Sequence, residues 1–296
     1  MQDILPNWNQ IINAPDIKRT PIWRAQIPFR LRGYVWKKLI HNKLGITPEL
    51  YMELQSRAHQ ETPVYDEKSG EQNVGELIRR DLPRTFPELK LFKNPESEAY
   101  NQILKVLETA AFYQPEIGYV QGMSYVCAIL LLFMNHYDAF VCFTNLLNTP
   151  FMRSVCKVDP SSLAKHSQLF QIIFAQYAPN LYQHFNNLNI TTEHFLLDWW
   201  LTLFSKTFSI PISTHIWDSF LLEGEIFIHF AAVGALKLFE TQLLEASFEK
   251  CLDLITTQIP KNLVDSKALF AIIKDFEITP KIQAIMEEMD KEILNL

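Results

Sequence analysis

Between Ser97 and Tyr113, the residues Tyr100, Ile103, Leu104, Leu107, Ala110 and Ala111 recur at i, i+3, i+4, i+7, i+10 and i+11. That is one face of a 3.6-residue period, which a strand, alternating every second residue, cannot bury. Asn94 followed by Pro95 predicts the start of this helix, with proline tolerated at the first helical position. The same period returns near residues 35–40, 125–133, 140–147, 163–177, 192–204, 226–244 and 248–257. Hairpin dipeptides between alternating runs are absent, and so is any βα alternation. The expected fold class is therefore all-α, with no significant sheet.

Prolines punctuate the helical pattern, and the break around residues 150–161 predicts a seam between two packed helical subdomains. The expected division is an N-terminal extension (residues 1–21), a first helical half (22–160), and a second half with tail (161–296). The most polar stretch, residues 59–75, reads as an exposed loop. No bilayer-spanning run is present: residues 126–134 are too short, and residues 226–239 contain His229 and Lys237. The start MQDILPNWNQ lacks the basic and apolar segments of a signal peptide. The four cysteines form no CxxC pair and read as reduced thiols acting as small core hydrophobes. A soluble, cytoplasmic protein is expected.

Net charge is −6, which excludes a global basic field for nucleic acid. Residues 18–48 nevertheless carry eight Lys or Arg and no Asp or Glu. One reading is a solvated helix face plus structural arginines; the other is weak peripheral contact with an acidic partner or anionic membrane. Phosphate-binding loops of the GxxxxGK[ST] and GxGxxG types are missing, so no nucleotide cofactor of its own is expected. HExxH, clustered Cys/His ligands and EF-hand spacing are missing too, so no metal site is expected. The segment from Gly122 to Val126 half-resembles a nucleophile elbow but lacks the final glycine and a preceding strand.

Two short motifs remain with chemistry to offer. In Ile78-Arg79-Arg80-Asp81-Leu82-Pro83-Arg84-Thr85-Phe86-Pro87, each proline disfavours helix at the residue before it. A helix ending near Asp81, anchored by Ile78, would present Arg84 on a stiff non-helical segment. Asp81 is placed to accept from backbone or side-chain donors and fix that loop. An arginine so held suits charge on another molecule. In Gly118-Tyr119-Val120-Gln121-Gly122-Met123, two glycines bracket a glutamine just before an apolar helix, a turn that projects Gln121 from the helix start. Glycine is scarce here, 8 of 296 residues, and four of the eight (Gly33, Gly118, Gly122, Gly224) fall inside motifs. Two further motifs, around Arg32 and Trp36 and around Trp217 and Asp218, read as structural: buried tryptophans with polar neighbours that fix helix ends.

The order RGYVW, IRRDLPRTF, GYVQGM, IWDSFLLEG resembles the TBC domain of Rab GTPase-activating proteins, from about Ile22 to Leu269. The family pattern I-x-x-D-x-x-R is complete as Ile78, Asp81 and Arg84, and Y-x-Q as Tyr119 and Gln121. Residues 196–211 also resemble the family's second half. The RTFP, GYVQGMS and NLLN stretches resemble the subgroup of TBC domain family members 12 and 14. His215 stands where the family usually has arginine, which bears on packing in the second half.

The resemblance implies a GTPase-activating domain supplying two fingers in trans to a GTP-bound Rab-family small GTPase. Arg84 would neutralise charge near the γ-phosphate and Gln121 would orient the attacking water. Asp81 would position the Arg84 loop, with Thr85, Tyr119 and Gly122 supporting the fingers or touching the partner. Arg32 and Trp36 would hold the first half together. GTP and Mg²⁺ would be carried by the partner, regulation of vesicle trafficking would be the role, and the partner would recruit the domain to endomembranes. The alternative is a non-catalytic TBC-fold adaptor binding a Rab or a trafficking complex.

Overall fold

The computed structural model describes residues 26–61, 73–157 and 160–294. The expected extension at residues 1–21 lies outside them, as do residues 62–72 of the polar loop and residues 158–159 of the seam. Among the described residues all regular structure is helical. After a 3₁₀ turn at Phe29–Leu31 come α1 (Arg32–Ile40), α2 (Pro48–Glu61), α3 (Val74–Asp81), α4 (Glu98–Tyr113), α5 (Met123–Phe133) and α6 (His136–Leu147). There follow α7 (Pro150–Lys157), α8 (Pro160–Tyr177), α9 (Pro179–Asn187), α10 (Leu196–Leu201), α11 (Ile210–Glu223) and α12 (Ile226–Leu238). Short helices lead on to α16 (Ser266–Ile273) and α17 (Pro280–Leu294), with α13 (Glu240–Leu244), α14 (Phe248–Asp253) and α15 (Ile259–Asn262) between. The polar loop is shorter than its composition suggested, since α2 runs on to Glu61 and Asn73 caps α3 by accepting from Gly75 N.

Helix α4 starts three residues later than the Asn94-Pro95 signal predicts. Ser97 takes the N-cap and accepts from Tyr100 N at 3.2 Å. Asn94 instead closes the preceding turn, where its carbonyl accepts from Ser97 N. Five of the six periodic residues (Tyr100, Ile103, Leu107, Ala110, Ala111) are buried, and Leu104 is half-buried. This face packs on α2, α3, α5 and α6. Helices α5 and α12 are apolar almost all round and run through the interior. One connected core reaches from Ile27 to Met289. All four cysteines are buried free thiols, as expected of small core hydrophobes.

The RGYVW and IWDSF motifs meet. Asp218, fully buried at mid-α11, accepts from Ile27 N (3.1 Å), Arg32 Nε (3.1 Å) and Nη2 (3.0 Å), and Trp36 Nε1 (2.9 Å). The Trp36 and Trp217 rings lie 5.2 Å apart, and Trp217 Nε1 donates to Leu203 O. Arg32 and Trp36 therefore tie α1 to α11 rather than holding the first half to itself, and Asp218 secures those two side chains rather than a helix end. Burial pushes the Asp218 carboxyl up to about 6, and Arg32, Trp36 and Ile27 N oppose the rise.

His215 stacks on Phe270 at 3.6 Å and its Nδ1 lies 2.9 Å from Ser266 Oγ, so it packs α11 against α16. Of the basic stretch, Arg32 is consumed by Asp218, Lys37 pairs with Asp138 at 2.7 Å, and Lys38 sits over the Tyr34 ring. Those three follow the structural and solvated reading. Lys18, Arg19 and Arg24 lie outside the described residues.

Gly33 sits where α1 presses against the end of α5. A Cβ there would stand 2.1 Å from the backbone oxygen of Phe133. Backbone cannot yield as a flexible side chain does, so Gly33→Ala is expected to destabilise the fold by about 1–3 kcal/mol or more. Denaturant unfolding checks this; an unchanged midpoint would mean α1 slides freely over α5.

Candidate active site

Helix α3 is short and amphipathic, with Ile78 and Asp81 on its buried side. Past Asp81 the chain tightens into a 3₁₀ turn, Leu82–Arg84. Pro83 was expected to drive Leu82 out of helical backbone, yet Leu82 keeps φ −57° and ψ −45°. The penalty is met by burial of the Leu82 side chain and by Thr85 N donating to Leu82 O at 3.0 Å. Arg84 thus stands on a tightened last turn. The chain breaks one step later at Phe86, whose φ of +43° is a left-handed backbone that a bulky residue rarely adopts. The buried Phe86 ring, edge-on to Tyr125 at 5.0 Å, helps hold it there.

The second motif forms a tight turn into α5. Gly122 is its N-cap with φ +106°, a conformation any side chain would strain, and a Cβ there would meet Thr202 Cγ2 at 3.2 Å. Gln121, one residue earlier, is exposed. Ser124 is fully buried, and its Oγ lies 2.7 Å from Thr85 Oγ1, which also donates to Asp81 O at 2.9 Å. The elbow-like serine therefore belongs to the packing beneath the two motifs.

Asp81 joins them. Its carboxylate is 2% exposed, and each oxygen serves one motif. Oδ1 accepts from Arg84 Nε at 2.5 Å and from Arg84 Nη2. Oδ2 accepts from Tyr119 Oη at 2.6 Å and from Gly122 N at 2.8 Å. Burial first, and the bond to Asp81 second, push the Tyr119 phenol far above its ordinary range, so it stays a donor. Arg84 is 53% exposed along its side chain but folded back onto Asp81 rather than extended outward. Its carbonyl accepts from Tyr125 Oη at 2.6 Å.

Leu77, Arg80, Asp81, Arg84, Tyr119 and Gln121 line an open concavity of about 550 Å³. It presents two guanidinium groups and one carboxamide around a carboxylate that is already satisfied. Among the described residues, no cluster of three His, Cys, Asp or Glu could hold a metal ion. Such a surface can grip and neutralise an anion brought by another molecule. The structure brings Asp81, Arg84, Thr85, Tyr119, Gln121 and Gly122 together and leaves Ile78 as the buried anchor of α3. Arg32, Trp36, Trp217 and Asp218 form the separate cluster described above. Sequence reasoning missed Arg80 and Tyr125. Helical spacing was the available signal for Arg80, four residues before Arg84 on continuous helical backbone, whereas nothing local marked Tyr125, whose partner lies 41 residues away.

The all-helical domain brings the arginine loop and the glutamine turn to one concavity, and their junction on the buried Asp81 carboxylate is what the tertiary structure adds. The chain belongs to the Rab-GTPase-TBC domain family, whose profile matches residues 29–244. It is 34% identical over 290 residues to TBC1 domain family member 14 of Homo sapiens, covering 93% of this chain and 41% of that protein. It is 32% identical over 308 residues to TBC1 domain family member 12 of Mus musculus, covering 99% of this chain and 43% of that protein. The chain thus spans less than half the length of these curated relatives, which are the subgroup its short stretches resemble. Among solved structures, the Chlamydomonas flagellar RabGAP TBC domain superposes with a TM-score of 0.75 at 20% identity, covering 93% of this chain and 91% of that one. The Ypt/Rab-GAP domain of Gyp1p superposes with a TM-score of 0.68 at 19% identity, covering 91% and 95%. Both show the same fold. No helix among the described residues is long and apolar enough to cross a membrane.

Proposed function

We propose that this domain accelerates GTP hydrolysis by a Rab-family small GTPase, acting on the GTP-bound form with Arg84 and Gln121 supplied in trans. The observation that carries the reading is that Arg84 and Gln121 line one concavity, with Asp81 holding the Arg84 side chain on Oδ1 and the Tyr119 and Gly122 flanks of the Gln121 turn on Oδ2. The partner brings GTP and Mg²⁺. When its γ-phosphate enters the concavity, Arg84 exchanges Asp81 for the phosphate oxygens and neutralises the charge that grows in the transition state. Asp81 Oδ2 keeps its bonds from Tyr119 and Gly122 N, which offsets part of the cost of releasing Oδ1. Gln121 orients the attacking water. Arg80, exposed on the same rim, adds attraction for the phosphates or an acidic switch segment. In this reading residues 22–160 carry both fingers, residues 161–296 buttress them, and the domain acts in the cytoplasm on membranes where its partner resides, in vesicle trafficking.

The test is single-turnover GTP hydrolysis across a panel of purified Rab proteins, with wild type beside Gln121→Ala. Wild type should accelerate at least one Rab about 10³-fold or more, and Gln121→Ala should forfeit about 10²-fold of that. GTP-dependent binding without acceleration would replace catalysis by the adaptor role.

A further inference from the structure

The carbonyl of Arg84 sits at the end of a 3₁₀ turn, where the next donor in register would be the N–H three residues on. That residue is Pro87, which has none. No backbone N–H among the described loop and cap bonds reaches this oxygen. A side chain supplies the donor instead: Tyr125, on the first turn of α5, gives its hydroxyl to Arg84 O at 2.6 Å. The Tyr125 ring is fixed edge-on against Phe86, the residue where the chain turns left-handed. Helix α5 also begins at the Gln121 turn, so this bond ties the backbone of one motif to the helix that carries the other.

We propose that Tyr125 is a positioning residue for the Arg84 finger: it holds the finger's backbone in place while the side chain leaves Asp81 for the partner's phosphate. This rests on the Rab-GAP reading above. The side-chain bonds to Asp81 must be surrendered in the transition state, whereas the bond on the carbonyl need not be. A finger tethered only through its side chain would lose its tether at the moment of use; one tethered through its backbone reaches the phosphate with its direction set. Burial pushes the Tyr125 phenol up to about 12, so the hydroxyl keeps its proton and stays a donor across the physiological range.

Tyr125→Phe removes one oxygen and keeps the ring against Phe86. Single-turnover and steady-state hydrolysis would be compared for wild type, Tyr125→Phe, Arg84→Ala and the double variant, on a Rab that wild type accelerates. The expected result is a fall in kcat of about 10- to 100-fold with KM for the GTP-loaded Rab within about twofold. The same substitution should change nothing further in the Arg84→Ala background, because there is then no finger to place. In the free protein, ¹⁵N relaxation should show the amides of Arg84 and Thr85 loosened by Tyr125→Phe. A kcat within twofold of wild type, a loss carried by KM, or an equal loss with and without Arg84 would each overturn the proposal while leaving the GAP reading intact. A wild-type domain that accelerates no Rab would overturn that reading itself and this proposal with it.

Discussion

Arg84→Lys is expected to fail nearly as badly as Arg84→Ala, each losing about 10³-fold or more of the acceleration, roughly 4 kcal/mol of barrier. Lysine keeps the charge, so the prediction turns on geometry. In the resting domain Nε and Nη2 of Arg84 both address Asp81 Oδ1, which sets the plane of the guanidinium. A planar fork can pass from one oxygen acceptor to two phosphate oxygens while keeping a fixed orientation; an ammonium on a flexible stem is a point charge with no preferred plane. Arg84→Lys should keep most of the stability, since an ammonium can still address Asp81, whereas Arg84→Ala should cost more, because it takes the Arg84 donors from Oδ1 of a carboxylate 2% exposed. The measurement is single-turnover hydrolysis with each variant, with thermal unfolding run alongside. Near-normal acceleration by Arg84→Lys would mean that charge alone is what the site supplies.

Asp218→Ala is expected to be the most damaging change to the fold, at about 3–5 kcal/mol. The number comes from what is left behind. Arg32 is only 7% exposed along its side chain and would stay charged with no counter-ion, while Trp36 Nε1 and Ile27 N would lose their acceptor. For a domain of this size that corresponds to a fall in Tm of roughly 5–10 °C. Arg32→Met together with Asp218→Leu should recover the part of the loss that comes from the unpaired Arg32 charge, while Trp36 Nε1 and Ile27 N stay without the Asp218 acceptor. A loss of under about 1 kcal/mol for Asp218→Ala would show that water reaches Arg32 and that α1 and α11 do not depend on this bond.

The two sets of residues show why some of the molecule was legible in sequence. The motif around Arg84 could be read because local constraints are local in sequence: Asp81 lies three residues before Arg84, within reach of its guanidinium. Gly122 could be read because a left-handed position before a helix selects glycine whatever surrounds it. Pro83 was misread by the same kind of rule. Its bias against helix at Leu82 is real but small, and burial of the Leu82 side chain outweighed it. The start of α4 was misplaced by three residues because Asn94 and Ser97 are equally good caps by type, and Asn94 is taken up by the preceding turn.

By itself the sequence determined the helical class, the face that α4 buries, the family pattern and the identity of the two candidate fingers. All of these follow from spacings of a few residues, where backbone geometry dictates which side chains are neighbours. Only the tertiary structure decided that Asp81 serves both motifs with one oxygen each, across 41 residues to Gly122 N. The same holds for Tyr125 capping the Arg84 carbonyl, also 41 residues away, and for Arg32 finding its partner in Asp218, 186 residues on. Those pairings depend on how helices cross, and helix crossings are set by the fit of whole apolar faces rather than by any residue's nearest neighbours.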